Sequence, residues 1–205
     1  MLHTIFLVLA LLASPLVLQA DDKDKIRLTG GLEWGYSLSS TVYSHYNFLA
    51  SSGIRVDIKD NSINADSNGY IDAYLGGKFL RKYAVTLRGG WYGVQSDRRT
   101  AIVSARAYYY FKDYLSDSVI MFLEGGTGLA STLEDERMYI AKLGGAYQFH
   151  LSGWMNLFLS LSLQAVEDHP ASFYDSIGKA SVTSPDLLRS DAWYAAVNFT
   201  VGLDF

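Results

Sequence analysis

Cysteine is absent from the 205 residues, and proline occurs only three times. The first absence excludes a disulfide framework, thiolate metal sites, a cysteine nucleophile and a lipid-modified cysteine anchor. Charge is missing from the start of the chain: the first 20 residues contain no Asp, Glu, Lys or Arg, so all 17 basic and 21 acidic side chains lie beyond them. A net charge of −4 argues against nucleic acid as a partner, because a phosphate-binding surface needs a basic face. What the chain has in quantity is 15 Tyr, 10 Phe, 4 Trp and 18 Gly, a composition that suits a β protein, and 49 % apolar residues are enough for one core.

Ile5 to Leu18 form an apolar run of 14 residues interrupted by Ser14 and Pro15. That is too short for a helix spanning a bilayer, which takes ~20 residues, and it suits the apolar segment of a secretory signal peptide. Cleavage after Ala20 would leave a charged periplasmic leader at 21–25 and a single domain at 26–205. No later stretch reaches the ~18 apolar residues of a transmembrane helix.

Beyond residue 25 the dominant period is 2, the signature of strands, whose successive side chains point to opposite faces. Ile26, Leu28, Leu32, Trp34, Tyr36 and Leu38 share one face, with Arg27, Thr29, Glu33, Ser37 and Ser39 on the other. Seven further runs repeat the pattern, near 70–79, 85–92, 103–111, 121–128, 139–150, 155–164 and 193–205. The run at 155–164 is the cleanest, with Met155, Leu157, Leu159, Leu161 and Leu163 opposite Asn156, Phe158, Ser160, Ser162 and Gln164. Eight such runs predict an all-β chain closed as an eight-stranded antiparallel up-and-down transmembrane barrel, whose tilted strands need ~9–11 residues each. Short connections at 80–82, 112–118 and 151–153 then alternate with two long ones after the first strand and before the last.

A soluble lipocalin-like barrel would use the same alternation with its apolar face inward around a ligand. Two features favour the membrane. The apolar faces carry no charge in any of the eight runs, and aromatics collect at run ends as interfacial girdles do: Phe79, Tyr83, Phe111, Phe149, Trp154 and Phe205 at one end, Trp91, Tyr139 and Trp193 at the other.

The last run, Val197, Phe199, Val201, Leu203 and terminal Phe205, resembles the outer-membrane assembly signal of alternating apolar residues ending in Phe. As an architecture, the whole mature chain resembles the small OmpA/OmpX-type barrels. That resemblance implies the outer membrane of a Gram-negative envelope, the barrel-assembly machinery as a partner and outer-membrane lipid as surroundings. It implies no substrate and no catalytic residue.

With the polar face inside, Glu33, Asp72 and Glu124 share the lumen with Arg88, Arg106 and Lys142. Isolated buried charges are very costly, so these six are expected to pair and to close a lumen only wide enough for side chains. The alternative is a narrow gated pore with this ladder as its filter. Arg27, Lys78 and Asp204 are expected at a hydrated periplasmic rim. Five Gly-Gly pairs, at 30–31, 76–77, 89–90, 125–126 and 144–145, are expected to permit curvature and to leave room for aromatic rings. Gly125 to Gly128 is not read as a phosphate loop, because neither a helix nor Lys-Ser/Thr follows.

His150 and Ser152 have the two-residue spacing used by outer-membrane lipid A acyl hydrolases, but they sit at an expected periplasmic turn, far from the acids Glu167 and Asp168. No catalytic residue, cofactor or metal is assigned. Function is expected at the external loops, where His45, Tyr46 and Phe48 would neighbour Asp168, His169, Phe173 and Tyr174 in one exposed patch for a ligand or protein. His45, His169, Asp168 and Asp57 match no metal-ligand spacing. The reading is a structural or surface-recognition protein, not an enzyme.

Overall fold

A computed structural model describes residues 26–49, 53–61, 64–95, 98–129, 138–169, 172–175, 178–181 and 187–205. The expected signal peptide and leader, at 1–25, lie outside the described residues. The described residues form eleven strands: β1 (Arg27–Leu49), β2 (Arg55–Asp60), β3 (Asn64–Phe79), β4 (Tyr83–Gln95), β5 (Arg98–Tyr110), β6 (Ser118–Leu129), β7 (Met138–Ser152), β8 (Met155–Asp168), β9 (Ser172–Asp175), β10 (Gly178–Ser181) and β11 (Leu187–Asp204).

Eight of them, β1, β3 to β8 and β11, close into an antiparallel barrel in which each strand pairs with its sequence neighbour and β11 returns to β1. The closing register runs from Gly31↔Asp204 to Phe48↔Leu187. Two backbone hydrogen bonds complete it at the turn end, Phe205 N–H to Gly30 O at 2.7 Å and Gly30 N–H to Phe205 O at 3.2 Å. β9 and β10 form a separate hairpin between β8 and β11.

The orientation that periodicity left open is decided plainly. Leu28, Trp34, Leu75, Leu87 and Leu163 are each at least 65 % exposed, whereas Glu33, Asp72, Arg88, Arg106, Glu124 and Lys142 are all buried. The apolar faces therefore point outward and the polar faces inward, which overturns the lipocalin-like alternative. Transfer of that much apolar surface to water is unfavourable at roughly 25 cal/mol per Å².

Glycine parity follows the same division. A Cβ on inward Gly35 would lie 2.2 Å from the Tyr70 ring, so this glycine makes room for an aromatic that fills the lumen. The adjacent pair Gly125 and Gly126 offers an internal control. A Cβ at Gly126 would meet Ser104 Cβ at 2.5 Å and the Val103 carbonyl oxygen at 2.6 Å, and one at Gly125 would meet nothing within 4 Å. Gly126→Ala is expected to cost ~1–3 kcal/mol by overpacking, and Gly125→Ala to be neutral or stabilising. Urea titration of the folded protein in micelles measures both, and equal costs would contradict the assigned facing.

Several strands run beyond the alternating segments at the loop end, β3 from Asn64, β8 to Asp168 and β11 from Leu187, and two boundaries differ for a local reason. The third short turn is Gly153-Trp154, not 151–153, because a bulge between His150 and Ser152 shifts the register. β1 does not end near Ser39 but runs 23 residues, and a bulge between Thr41 and Tyr43 resets its parity. Its far end, 44–49, carries β2 on one side and the start of β11 on the other, so a three-stranded extension stands beyond the other strand ends.

Candidate functional site

The six lumen charges lie on six consecutive barrel strands, and register places them on shared inward rungs: Glu33↔Asp72, Arg106↔Glu124 and Glu124↔Lys142. Arg88 Nη2 lies 2.6 Å from Glu33 Oε2 and also bonds Asp72. Arg106 bridges two acids, with Nη1 3.0 Å from Glu33 Oε1 and Nη2 2.6 Å from Glu124 Oε2. Hydroxyl groups complete the shell. Tyr92 donates to Asp72 Oδ2 at 2.6 Å, Ser104 donates to Glu124 Oε1 at 2.7 Å, and Arg88 Nη1 donates to the Tyr108 hydroxyl at 2.6 Å. Three acids and three bases leave the cluster formally neutral.

Lys142 is held differently. Among the described residues its ammonium has no hydrogen-bond partner, and it stands 3.9 Å from Glu124 Oε1. It lies over the rings of Tyr92 and Tyr70, 4.2 and 4.6 Å from their centroids, and those rings stack on each other at 4.7 Å. The negative ring faces supply much of the stabilisation that water would otherwise give this cation.

Apolar layers bound the ion layer on both sides. Toward the loop end lie Ile102, Met138, Ile140, Val166, Ala192 and Tyr194, together with Tyr70 and Tyr92. Toward the turn end lie Ala84, Tyr108, Tyr110, Tyr114, Ile120, Phe122 and Phe158. The lumen is thus a packed core turned polar at its middle; alternation places Tyr70, Tyr92, Tyr108, Tyr110, Phe122, Phe158 and Tyr194 on the inward face, and their gathering into two layers follows from register.

At the turn end the expectation of hydrated charges is corrected for two of three residues. Lys78 and Asp204 are buried and paired with each other, and only Arg27 is exposed. Asp204 accepts hydrogen bonds from Thr29 of β1, Lys78 of β3 and, at 3.0 Å, Asn156 Nδ2 of β8, with the Tyr74 hydroxyl of β3 at 3.4 Å. Desolvation is tolerated here because the carboxylate is surrounded by donors. His150 and Ser152 stand at this end too. His150 Nδ1 lies 2.8 Å from Asn156 Oδ1 and its backbone N–H donates to Asp117, while Glu167 and Asp168 occupy the opposite end of β8. Asp117 meets only the His150 backbone, and among the described residues no acidic side chain is hydrogen-bonded to the His150 ring or the Ser152 hydroxyl.

The expected external patch is also corrected. His45, Tyr46 and Phe48 are not on a loop but on the β1 extension, and His45, Phe48 and Asp168 are buried. Of the patch residues, β1 and the end of β8 come together only through β11, to which both are paired. Phe173 and Tyr174 are on β9, opposite Ala180 and Lys179. His169 Nε2 lies 3.4 Å from Asp191 Oδ1, and Asp191 also pairs with Arg189. His45 Nε2 lies 2.7 Å from Asp57 Oδ1, and Arg55 Nε donates to Asn47 Oδ1 at 3.0 Å. Among the described residues no group of three or more His or acidic side chains is arranged to hold a metal ion.

The hydrogen bond from His45 holds the Asp57 carboxyl below its ordinary value, with neighbouring Lys59 and Arg55 acting in the same direction. A depressed carboxylate contributes stability that is present above its unfolded value near 4 and is lost as pH falls through the lower folded value. Protection of β2 amides from hydrogen exchange is therefore expected to stay level down to pH ~4 and to fall below it. Asp57→Asn is expected to lower that protection at neutral pH, and unchanged β2 protection in that variant would contradict the clamp.

Comparison with known proteins adds little to this geometry. No family model matches the chain, and no curated protein does. Two solved structures of the Salmonella SPI-1 type III secretion secretin InvG align with it. One, residues 176 to the end in the open gate state, shows 7 % identity over 99 % of this chain and 64 % of the secretin chain, at a TM-score of 0.25. The other, a secretin-domain β-barrel, shows 9 % identity over 99 % and 66 %, at a TM-score of 0.27. The chain spans less than two thirds of either secretin chain, and at those scores the likeness carries no further argument.

Proposed function

We propose that the chain is an integral outer-membrane barrel of structural or surface-recognition type, with a lumen closed by its own side chains and with no enzymatic role. The observation that carries this reading is the inverted burial, apolar outside and ionic inside. From Leu28 to Leu38 the outward residues of β1 are apolar; at ~3.3 Å per residue and a tilt near 40° they cover about 25 Å, the height of an outer-membrane apolar band. Aromatic rings border it at the turn end in near-continuous contact: Phe79 with Tyr83 at 6.0 Å, Tyr83 with Tyr109 at 5.5 Å, Tyr109 with Phe111 at 5.3 Å and Tyr147 with Phe149 at 4.7 Å. Lipid girdles have this composition and place.

Export by the signal peptide at 1–20 and insertion by the barrel-assembly machinery through Val197, Phe199, Val201, Leu203 and Phe205 complete the proposal. The extension of β1, β2 and β11 with the β9–β10 hairpin would be the part presented to the exterior. A gated pore is disfavoured by the two apolar layers around the ion cluster. Fractionation followed by gel electrophoresis with and without boiling tests the core of the proposal. A band in the outer-membrane fraction that shifts on heating is expected; a soluble protein with no shift would overturn it.

A further inference from the structure

A shallow crevice opens at the turn end beside the β11–β1 seam. Its lining has two characters. Leu28, Trp154 and Phe205 are exposed members of the outward apolar surface, and Trp154 stacks on Phe205 at 6.0 Å. Arg27 and Lys78 supply two cations, and the His150 ring, held through Nδ1 by Asn156, lies beside them. Asp204 neutralises Lys78, so one full positive charge remains, on Arg27. That guanidinium is exposed and uses one Nη2–H on the Gly153 carbonyl at 3.0 Å, which ties it across the crevice with further N–H groups left over.

We propose that this crevice binds the phosphate of a glycerophospholipid of the inner leaflet, with its acyl chains lying on Leu28, Trp154 and Phe205. The proposal rests on the membrane reading above. An arginine presents a planar fork that matches phosphate oxygens, and a rim where an aromatic girdle meets a fixed cation is where a headgroup sits. The crevice is shallow, so a headgroup would lie against its rim, at Arg27, with the chains outside on the apolar wall. Trp154 and Phe205 then do more than mark the interface: they wall the site.

The test is native mass spectrometry of the purified barrel in detergent, titrated with phosphatidylglycerol, with dioleoylglycerol and with inorganic phosphate. One retained phosphatidylglycerol per chain is expected, with no retention of dioleoylglycerol. Arg27→Gln with His150→Gln should lower retention at least tenfold, and Arg55→Gln at the other end should leave it unchanged. Equal retention by the double variant, or equal binding of dioleoylglycerol, would overturn the site. Displacement of the lipid by millimolar inorganic phosphate would make it a free-phosphate site and overturn the lipid assignment. The band shift on heating is read on the same samples. A variant that still shifts but retains no lipid isolates the site, whereas loss of the shift in the unmodified protein is a failure of the membrane reading itself.

Discussion

Arg106→Met is expected to cost about 3–5 kcal/mol of stability, the range for breaking a buried ion pair by removing one partner. Among the described residues Arg106 alone joins Glu33 to Glu124, and its loss leaves Glu124 with the Ser104 hydroxyl and a lysine that reaches only to 3.9 Å. Three desolvated carboxylates, Glu33, Asp72 and Glu124, would then face only Arg88 and Lys142 in a layer sealed by apolar side chains above and below. Lys142→Met should cost less than half as much. Its ammonium makes no hydrogen bond, and Glu124 would keep its contacts to Arg106 and Ser104. Urea midpoints in detergent micelles, compared at equal slopes, separate the two. Equal costs would mean that Lys142 is held by its charge partner and that the tyrosine rings add little. The same variants bear on conduction, because a closed plug predicts silence in planar bilayers for the unmodified chain, and a filter predicts a conductance that Arg106→Met alters.

Asp204→Ala is the second large effect, about 3–5 kcal/mol, for a related reason in a different place. The carboxylate gathers donors from β1, β3 and β8 onto the last strand, so it ties the two neighbours of β11 together at the seam where the barrel closes. Its removal strands the Lys78 ammonium in a buried site. Adding Lys78→Met should recover a large part of the loss, and the coupling in that double-mutant cycle measures the pair directly. Strict additivity would show that the two side chains do not stabilise one another. Asp204→Asn tests charge apart from hydrogen bonding: the amide keeps an acceptor for Thr29 but cannot neutralise Lys78. Conversion between the compact and unfolded gel bands as a function of temperature gives a second, independent readout.

These two sites distribute the polar stabilisation of the lumen. The central cluster is neutral within itself and fixes β1 and β3 to β7 to one another. Asp204 serves the remaining contact, between β11 and the strands beside it. A barrel whose lumen is occupied in this way has its variable chemistry at the ends: the extension with the His45–Asp57 contact at one, and the Arg27 crevice at the other.

Much of this architecture was legible in the sequence, because strand parity is a local property. Alternation identified eight strands, separated Glu33, Asp72, Arg88, Arg106, Glu124 and Lys142 from the apolar faces, and located the short turns within a residue or two. Three matters were not local. Which face is inside depends on what surrounds the barrel, and closure alone shows Leu28 and Trp34 outward. The end of β1 depended on the bulge at Thr41/Tyr43, which reverses parity and made the strand carrying His45 and Phe48 read as a loop. Partner choice depended on register across the barrel, so that Lys78 and Asp204, 126 positions apart in the chain, came together in a buried pair where sequence suggested hydrated residues. Local alternation was enough for the eight barrel strands and the polarity of each face. The orientation of the faces, the pairing of the charges and the reach of β1 came only with closure of the barrel, since each arises from contacts between residues far apart in the chain.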